Sequence, residues 1–169
     1  LKLSTGNIAL DQSYQHSLTM RFNTLDSSRT RPFFALVALQ SQPGRISNVT
    51  YVPQADSTLT DGTMLPAGSQ LTLPMNLDGY ITARAFVNYG FPVTMLKSNL
   101  NLNGGGSVER LPGLVNGAKS LTWNTNWNLG TVLSSNISEA VDFLVGYTAN
   151  FNTASSDLRS SLNNSDYQG

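Results

Sequence analysis

The sequence predicts an all-β chain, namely a section of an antiparallel transmembrane β-barrel with about six to eight long strands. Two observations lead to this prediction. Apolar and small polar residues alternate over several segments, which places successive side chains on opposite faces of a strand. Charged residues make up only 12% of the chain, about half the usual share of a globular protein. We expect residues 1–169 to be part of one such domain, incomplete as given.

The clearest strand begins at Leu121 and continues to Ser134. Apolar residues occupy most of its odd positions and asparagines occupy several of its even positions. A strand in a globular protein usually has about 5–6 residues, whereas a tilted strand needs roughly 9–11 to cross a membrane. The length of this run therefore favours a membrane-spanning strand.

Further strands are expected on both sides of this run, in the order Tyr14–Thr24, Phe33–Val52 with a bulge at Pro43-Gly44, Gln70–Leu73, Tyr80–Phe91, Lys97–Asn103 and Val141–Asn152. Glycines 104–106 predict an interruption or bend. Residues 53–68 and 111–119 are predicted as long loops, whereas 92–96 and 134–139 are predicted as compact turns. Such an alternation of long and short connections is typical of transmembrane barrels.

The alternation also predicts which side chains face lipid and which face the lumen. The expected lipid-facing residues are Leu18, Met20, Phe22, Leu121, Trp123, Trp127, Leu129, Val141, Phe143, Val145 and Tyr147. The expected lumen-facing residues are Arg21, Arg84, Asn124, Asn126, Asn128 and Asn150. The two arginines either pair with carboxylates of neighbouring strands, which we favour, or contact a solute or a plug.

The polar residues are mostly uncharged, with 20 serines, 16 threonines and 17 asparagines. Ten acidic and ten basic residues balance, so neither a nucleic-acid surface nor a polybasic membrane patch is indicated. The absence of cysteine excludes a disulfide scaffold and a thiol enzyme. A soluble β-sandwich that binds glycans, or a capsid-like shell protein, would share much of this composition. The strands of such a soluble sandwich should end after about five to six residues.

No arrangement of residues predicts catalysis, a metal site or a cofactor. His16 is the only histidine, which excludes a multi-histidine metal site within this chain. Asp56, Asp61 and Asp78 are expected in turns and lack the spacing of a calcium loop. Glycines 104–106 are not followed by Lys-Ser or Lys-Thr, so they do not form a phosphate-binding loop. We therefore expect a protein that is not an enzyme.

Several segments resemble the Bacteroidota outer-membrane β-barrel family related to TonB-dependent receptors. Residues 4–16 resemble the pattern GNPxLxxxYxH found in these barrels. The other matching segments are Asn76-Leu77-Asp78-Gly79, Tyr89-Gly90-Phe91-Pro92-Val93, Lys97–Asn103, Leu111–Asn116 and Leu133–Glu139. The resemblance covers most of the chain, and the order and spacing of the segments make it more specific than any one of them.

The resemblance implies a large barrel with an N-terminal plug in the bacterial outer membrane. It also implies energised uptake of a nutrient, with outer-membrane lipid, the remaining strands and plug, TonB and a surface lipoprotein as partners. No plug and no TonB box occur in this sequence. Because it starts at Leu1 and ends within a polar stretch, we expect an internal piece of a longer protein.

Overall fold

The computed structural model describes residues 1–26, 31–59, 62–135, 142–157 and 164–168. The strands are β1 Lys2–Ser4, β2 His16–Asp26, β3 Arg31–Gln42, β4 Arg45–Tyr51, β5 Ser57–Thr58, β6 Met64–Leu65, β7 Gln70–Leu77, β8 Tyr80–Val93, β9 Ser98–Val115, β10 Ala118–Ser135, β11 Leu144–Ser156 and β12 Asn164–Gln168. A single 3-10 turn, Thr94–Leu96, is the only helical element in these ranges. The prediction of an all-β chain is confirmed. Within the described ranges, no helix has the length and apolarity needed to cross a membrane.

Seven strands form an antiparallel meander in the order β2, β3, β8, β9, β10, β11 and β12. Its longest members, β9 and β10, have 18 residues each, and β8 has 14. Strands of this length do not break near five to six residues, the length expected for a soluble sandwich.

Strand β9 differs from the prediction in two places. It continues through glycines 104–106, which pair in regular register with β8 and β10. It also includes residues 111–115, which were predicted as a loop, and turns into β10 through Asn116 and Gly117 alone. Both turn residues have positive φ, 50° and 78°, as a tight hairpin turn requires. Pro112 is tolerated because the pairing of β8 with β9 has ended at Arg110.

Other strand boundaries shift by smaller amounts. The first long strand begins at His16 rather than Tyr14, and β11 begins at Leu144, since residues 142–143 are not in a strand. Strand β7 continues through Pro74, where a break was predicted, and is interrupted only after Leu77. The predicted start at Val141 lies outside the described residues.

Strands β3 and β4 together form one long ribbon with β7 and β8. The register is the same on both sides of the interruption, with Gln42 opposite Tyr80 and Arg45 opposite Leu77. Between these pairs, Gly44 and Gly79 take positive φ values of 62° and 106°. The Gly44 N–H donates to a carboxylate oxygen of Asp78 at 2.8 Å. The interruption is therefore a bend within a continuous hairpin. A bulge was predicted at Pro43-Gly44, but residues 43–44 lie opposite residues 78–79, so no extra residue is inserted in either chain.

The ribbon turns over at this bend. On the lower side of the bend, which contains β3 and β8, β3 borders β2 and β8 borders β9. On the upper side, which contains β4 and β7, β4 borders β9 at Thr50 and Val115, and β7 borders β1. The two chains of the ribbon thus exchange sides relative to β9. Because the β4–β9 and β1–β7 pairings are parallel, the main sheet is mixed rather than purely antiparallel.

The N-terminal segment, residues 5–15, connects β1 to β2 along the edge of the ribbon. Asn76 holds it in place, since its Oδ1 accepts the Asp11 N–H at 2.8 Å and its Nδ2 donates to the Asp11 carbonyl at 2.9 Å. The same Nδ2 donates to the Gly44 carbonyl at 2.7 Å. One side chain therefore joins the segment to both chains of the ribbon at the bend.

The buried apolar residues lie at the bend of the ribbon and on the β4–β7 side of it, and Tyr80 is the only one of them in a strand of the meander. They are Val49, Leu65, Leu71, Leu77 and Tyr80. Leu65 belongs to the small β5–β6 hairpin within the connection from β4 to β7. Across the described residues, the main sheet ends at β2 on one side and at β12 on the other, and no pairing joins them. The sheet is open here and is not a closed barrel.

Candidate functional site

The meander has one face that is largely apolar, formed by even positions of β2 and β9 and odd positions of β3, β8, β10 and β11. The pairing registers place these positions side by side, as in the row Met20, Val37, Ala85, Gly106, Trp127 and Phe151. We call this surface the apolar face. It carries nine of the predicted lipid-facing residues, namely Leu18, Met20, Phe22, Leu121, Trp123, Trp127, Leu129, Val145 and Tyr147.

The two remaining residues of that set lie before β11. Phe143 continues its register, because its carbonyl accepts the Ser135 N–H at 2.9 Å. Val141 lies outside the described residues. Trp127, Leu129 and Tyr147 are 55%, 60% and 61% exposed, so no other described part of the chain covers these side chains.

An aromatic row crosses the apolar face near its lower end, the end at which the Thr94–Leu96 turn lies. The ring centroids of Phe22 and Phe33 are 5.9 Å apart, those of Phe33 and Tyr89 6.3 Å, and those of Tyr89 and Phe91 5.6 Å. The alternation in β8 predicts that Tyr89 and Phe91 share one face with Ile81, and the structure places both on the apolar face. Phe33 belongs to a continuous apolar run, so the sequence does not indicate its face.

Charged side chains on the described apolar face occur only near its two ends. Arg31 lies two residues before Phe33 at the lower end, and Arg110 and Lys119 lie at the upper end of β9 and β10. The Arg110 guanidinium lies over the Trp123 ring at 5.7 Å, and its Nε donates to the Gly79 carbonyl at 2.7 Å. An uncharged band therefore separates two borders that carry charged residues.

The opposite face of the meander, which we call the polar face, carries all six predicted lumen-facing residues: Arg21, Arg84, Asn124, Asn126, Asn128 and Asn150. Neither arginine forms an ion pair with a described residue. Their predicted pairing with carboxylates of strands beyond this section stays a prediction.

A polar depression of about 370 Å³ lies on this face between β9, β10 and β11. Its walls include Ser107, Glu109, Asn124, Asn126 and Asn152. The Asn126 amide donates to the Asn152 side chain, and the Tyr80 hydroxyl donates to Glu109 at 3.0 Å. The depression offers hydrogen-bonding groups with one carboxylate, and it brings together asparagines that the sequence places on different strands.

A small apolar group interrupts the polar face. The rings of Phe34 and Phe86 are 6.0 Å apart, and Leu36 lies opposite Phe86 in the β3–β8 register. The alternation in β3 did not identify this group, because residues 33–39 are apolar on both faces. Such a continuous run gives no signal for choosing between faces.

The turn residues weighed as possible metal ligands have local roles. Asp56 accepts the Ala67 N–H at 2.7 Å, Asp78 accepts the Gly44 N–H, and Asp61 lies outside the described residues. His16 stands at the start of β2, as expected of a strand-end histidine. Within the described ranges, no three His, Asp or Glu side chains lie close enough to hold a metal ion.

Comparison with family models, with characterised proteins and with solved structures gives no significant match for this chain. The family resemblance stays a proposal.

Proposed function

We propose that this chain forms part of the wall of an outer-membrane β-barrel, in a protein similar to TonB-dependent receptors that takes up a nutrient. One observation carries the proposal. The meander is a single layer with an uncovered apolar face and a face rich in asparagine. Lipid covers such an apolar face in a membrane, whereas in water a second layer would be required.

The height of the uncharged band supports this assignment. Along β8 it extends from Ile81, beside Arg110, to Phe91, which lies two residues beyond the partner of Phe33. The ten steps from residue 81 to residue 91, at about 3.3 Å each, span about 33 Å along the strand. At a tilt of about 35–45° the band is about 23–27 Å high, close to the apolar belt of about 25 Å in outer-membrane barrels.

The aromatic residues also fit a membrane. The row from Phe22 to Phe91 lies at the lower border of the band, and Trp123 lies at the upper border beside Arg110. Tyrosine and tryptophan gather at both membrane interfaces because their rings are apolar while the O–H or N–H group reaches water, so Tyr89 and Trp123 are the residues that fit this position. Tryptophan and arginine at the upper border match this arrangement.

Closure of the barrel requires further strands, since β2 and β12 each leave an unpaired edge in the described sheet. Unpaired backbone groups are costly in lipid, so the remaining strands of the same barrel are proposed as direct partners. The plug, TonB and a surface lipoprotein are further partners implied by the proposed family. The chain contributes no catalytic chemistry in this proposal; it provides a wall, and its polar face borders the transport path.

Single cysteines at Trp123 and Asn124 in the full-length protein test the proposal. These neighbours lie on opposite faces of β10, so the two variants differ only in the side of the sheet that is probed. In membranes, a lipid-soluble thiol reagent should label position 123 and a water-soluble reagent should label position 124. Equal aqueous labelling of both positions, or a protein that does not sediment with membranes, would contradict the proposal.

A further inference from the structure

A wedge-shaped cavity opens on the apolar side where the ribbon turns over. The pairing of β8 with β9 stops at Ile81 and Arg110, while β9 and β10 remain paired as far as Val115 and Ala118. The upper part of the β9–β10 hairpin therefore separates from β7. The space between them, which we call the wedge, has a volume of about 500 Å³.

Two cationic side chains, Arg110 and Lys119, line the wedge. The Gly79 carbonyl and the Trp123 ring hold the Arg110 guanidinium from two sides. Its two terminal nitrogens donate to no described residue. A guanidinium presents its N–H groups in a planar fork that matches phosphate oxygens, and here that fork is fixed before any ligand arrives.

The wedge also contains two carboxylates, each engaged by a backbone N–H. Asp78 accepts the Gly44 N–H and Asp157 accepts the Leu121 N–H, both at 2.8 Å. Neither carboxylate forms an ion pair with Arg110 or Lys119 in the described structure. The two cations are thus not neutralised by direct contact and remain available to an anion.

The rest of the lining and the position of the wedge favour a lipid over a free ion. Leu77, Leu114 and Leu121 give it an apolar wall. It lies at the upper border of the uncharged band, directly above Trp123. A molecule with a phosphate group and long apolar chains would match both parts, with its chains on the apolar face.

We propose that the wedge binds the phosphate of a membrane lipid headgroup through Arg110 and Lys119. This inference rests on the proposed membrane function and adds a specific lipid site to it. Lys119 reaches the site from an exposed position, while Arg110 supplies the fixed part of it.

Native mass spectrometry of the detergent-solubilised full-length protein tests the site, with phosphatidylglycerol as the added probe. The double variant Arg110→Gln/Lys119→Gln should bind it at least on the order of tenfold more weakly, because each cation contributes a charged hydrogen bond and the loss of one alone has about this effect. The control, Lys2→Gln/Lys97→Gln, removes the same charge from β1 and from the residue that follows the Thr94–Leu96 turn. It should bind like the parent protein.

Two further probes separate a lipid from a free anion. Diacylglycerol with the same acyl chains lacks the phosphate and should not distinguish the double variant from the parent. Inorganic phosphate at millimolar concentration should not displace the phospholipid. Equal phospholipid binding by the double variant and the control, or full displacement by inorganic phosphate, would overturn the proposal.

The cysteine-labelling experiment distinguishes the two possible failures. If the lipid-soluble reagent labels position 123 while the double variant binds phospholipid as tightly as the parent protein, the wedge assignment is wrong and the barrel function stands. If position 123 is labelled from water, both are wrong.

Discussion

Gly106 lies directly beneath the indole ring of Trp127, across the β9–β10 pair. A Cβ at residue 106 would overlap ring atoms of Trp127, so only glycine leaves room for the indole at this position. The glycine in the middle of β9 therefore determines how the widest side chain of β10 lies on the apolar face.

Gly106→Ala should destabilise the protein by about 1–3 kcal/mol, because the indole or the backbone has to shift. The control is Gly6→Ala, since no atom lies within 4 Å of a Cβ at residue 6. Urea unfolding of the two variants in the same detergent or bilayer gives the comparison. An equal, small effect for both would show that Trp127 does not need the space above Gly106.

Leu129→Arg and Asn128→Arg place the same charge on opposite faces of β10. Leu129 belongs to the row with Val87 and Gly104, at the middle of the uncharged band. In a bilayer we expect Leu129→Arg to cost about 2–4 kcal/mol of folding free energy, and Asn128→Arg much less, because only the first charge faces lipid. Folding titrations into lipid vesicles measure the difference. Equal costs would indicate that water reaches both faces.

Asn76→Ala should release the N-terminal segment from the ribbon. It removes three hydrogen bonds, two of them to the backbone of Asp11, and should cost about 1–3 kcal/mol by leaving polar groups unpaired. Hydrogen exchange at the Asp11 amide should accelerate. Asn48→Ala, at an exposed position of β4, is the control and should leave that amide unchanged. Unaltered exchange in Asn76→Ala would show that the segment is held by other contacts.

Tyr80 makes two separable interactions. Tyr80→Phe removes only the hydroxyl that donates to Glu109 and should cost about 0.5–1.5 kcal/mol. Tyr80→Leu also removes the ring that lies 3.8 Å from the Arg45 guanidinium, which adds about 0.5–2 kcal/mol for that contact, together with the packing lost from a buried ring. Chemical unfolding measures both, with Tyr51→Phe at an exposed position as the control. If the two Tyr80 variants are equally stable, the contact with Arg45 contributes nothing.

Local pattern was sufficient to predict most of the long strands of the meander and which of their residues share a face, but not the short strands β1, β5 and β6. The alternation around Trp123 and Asn124 places them on opposite sides, and the structure keeps every described residue of the two predicted sets on its own face. A period of two is a property of neighbouring residues, so no knowledge of strand partners was needed.

Predictions from local sequence pattern were wrong where the pairing of distant strands determines the structure. Glycines 104–106 predict a bend when taken alone. In the structure, Trp127 covers Gly106 and Phe86 lies close to Gly105, and this part of β9 pairs regularly with both β8 and β10. The exchange of sides within the ribbon depends on pairings between distant segments. Nothing in residues 43–44 or 78–79 indicates on which side β9 will lie. The wedge, which results from that exchange, was missed for the same reason.

Two contacts of the fold differ greatly in the sequence separation of their partners. One is the β9–β10 hairpin, which turns at Asn116 and Gly117, and the other is the contact of Asn76 with Asp11. Strands β9 and β10 meet across two residues, whereas Asp11 and Asn76 are 65 positions apart. Because closing a long loop costs entropy before its contacts form, we expect the hairpin to nucleate early and the N-terminal segment to dock late. Residues 5–15 are thus among the last of this section to reach their place, and they remain undocked until the ribbon has turned over.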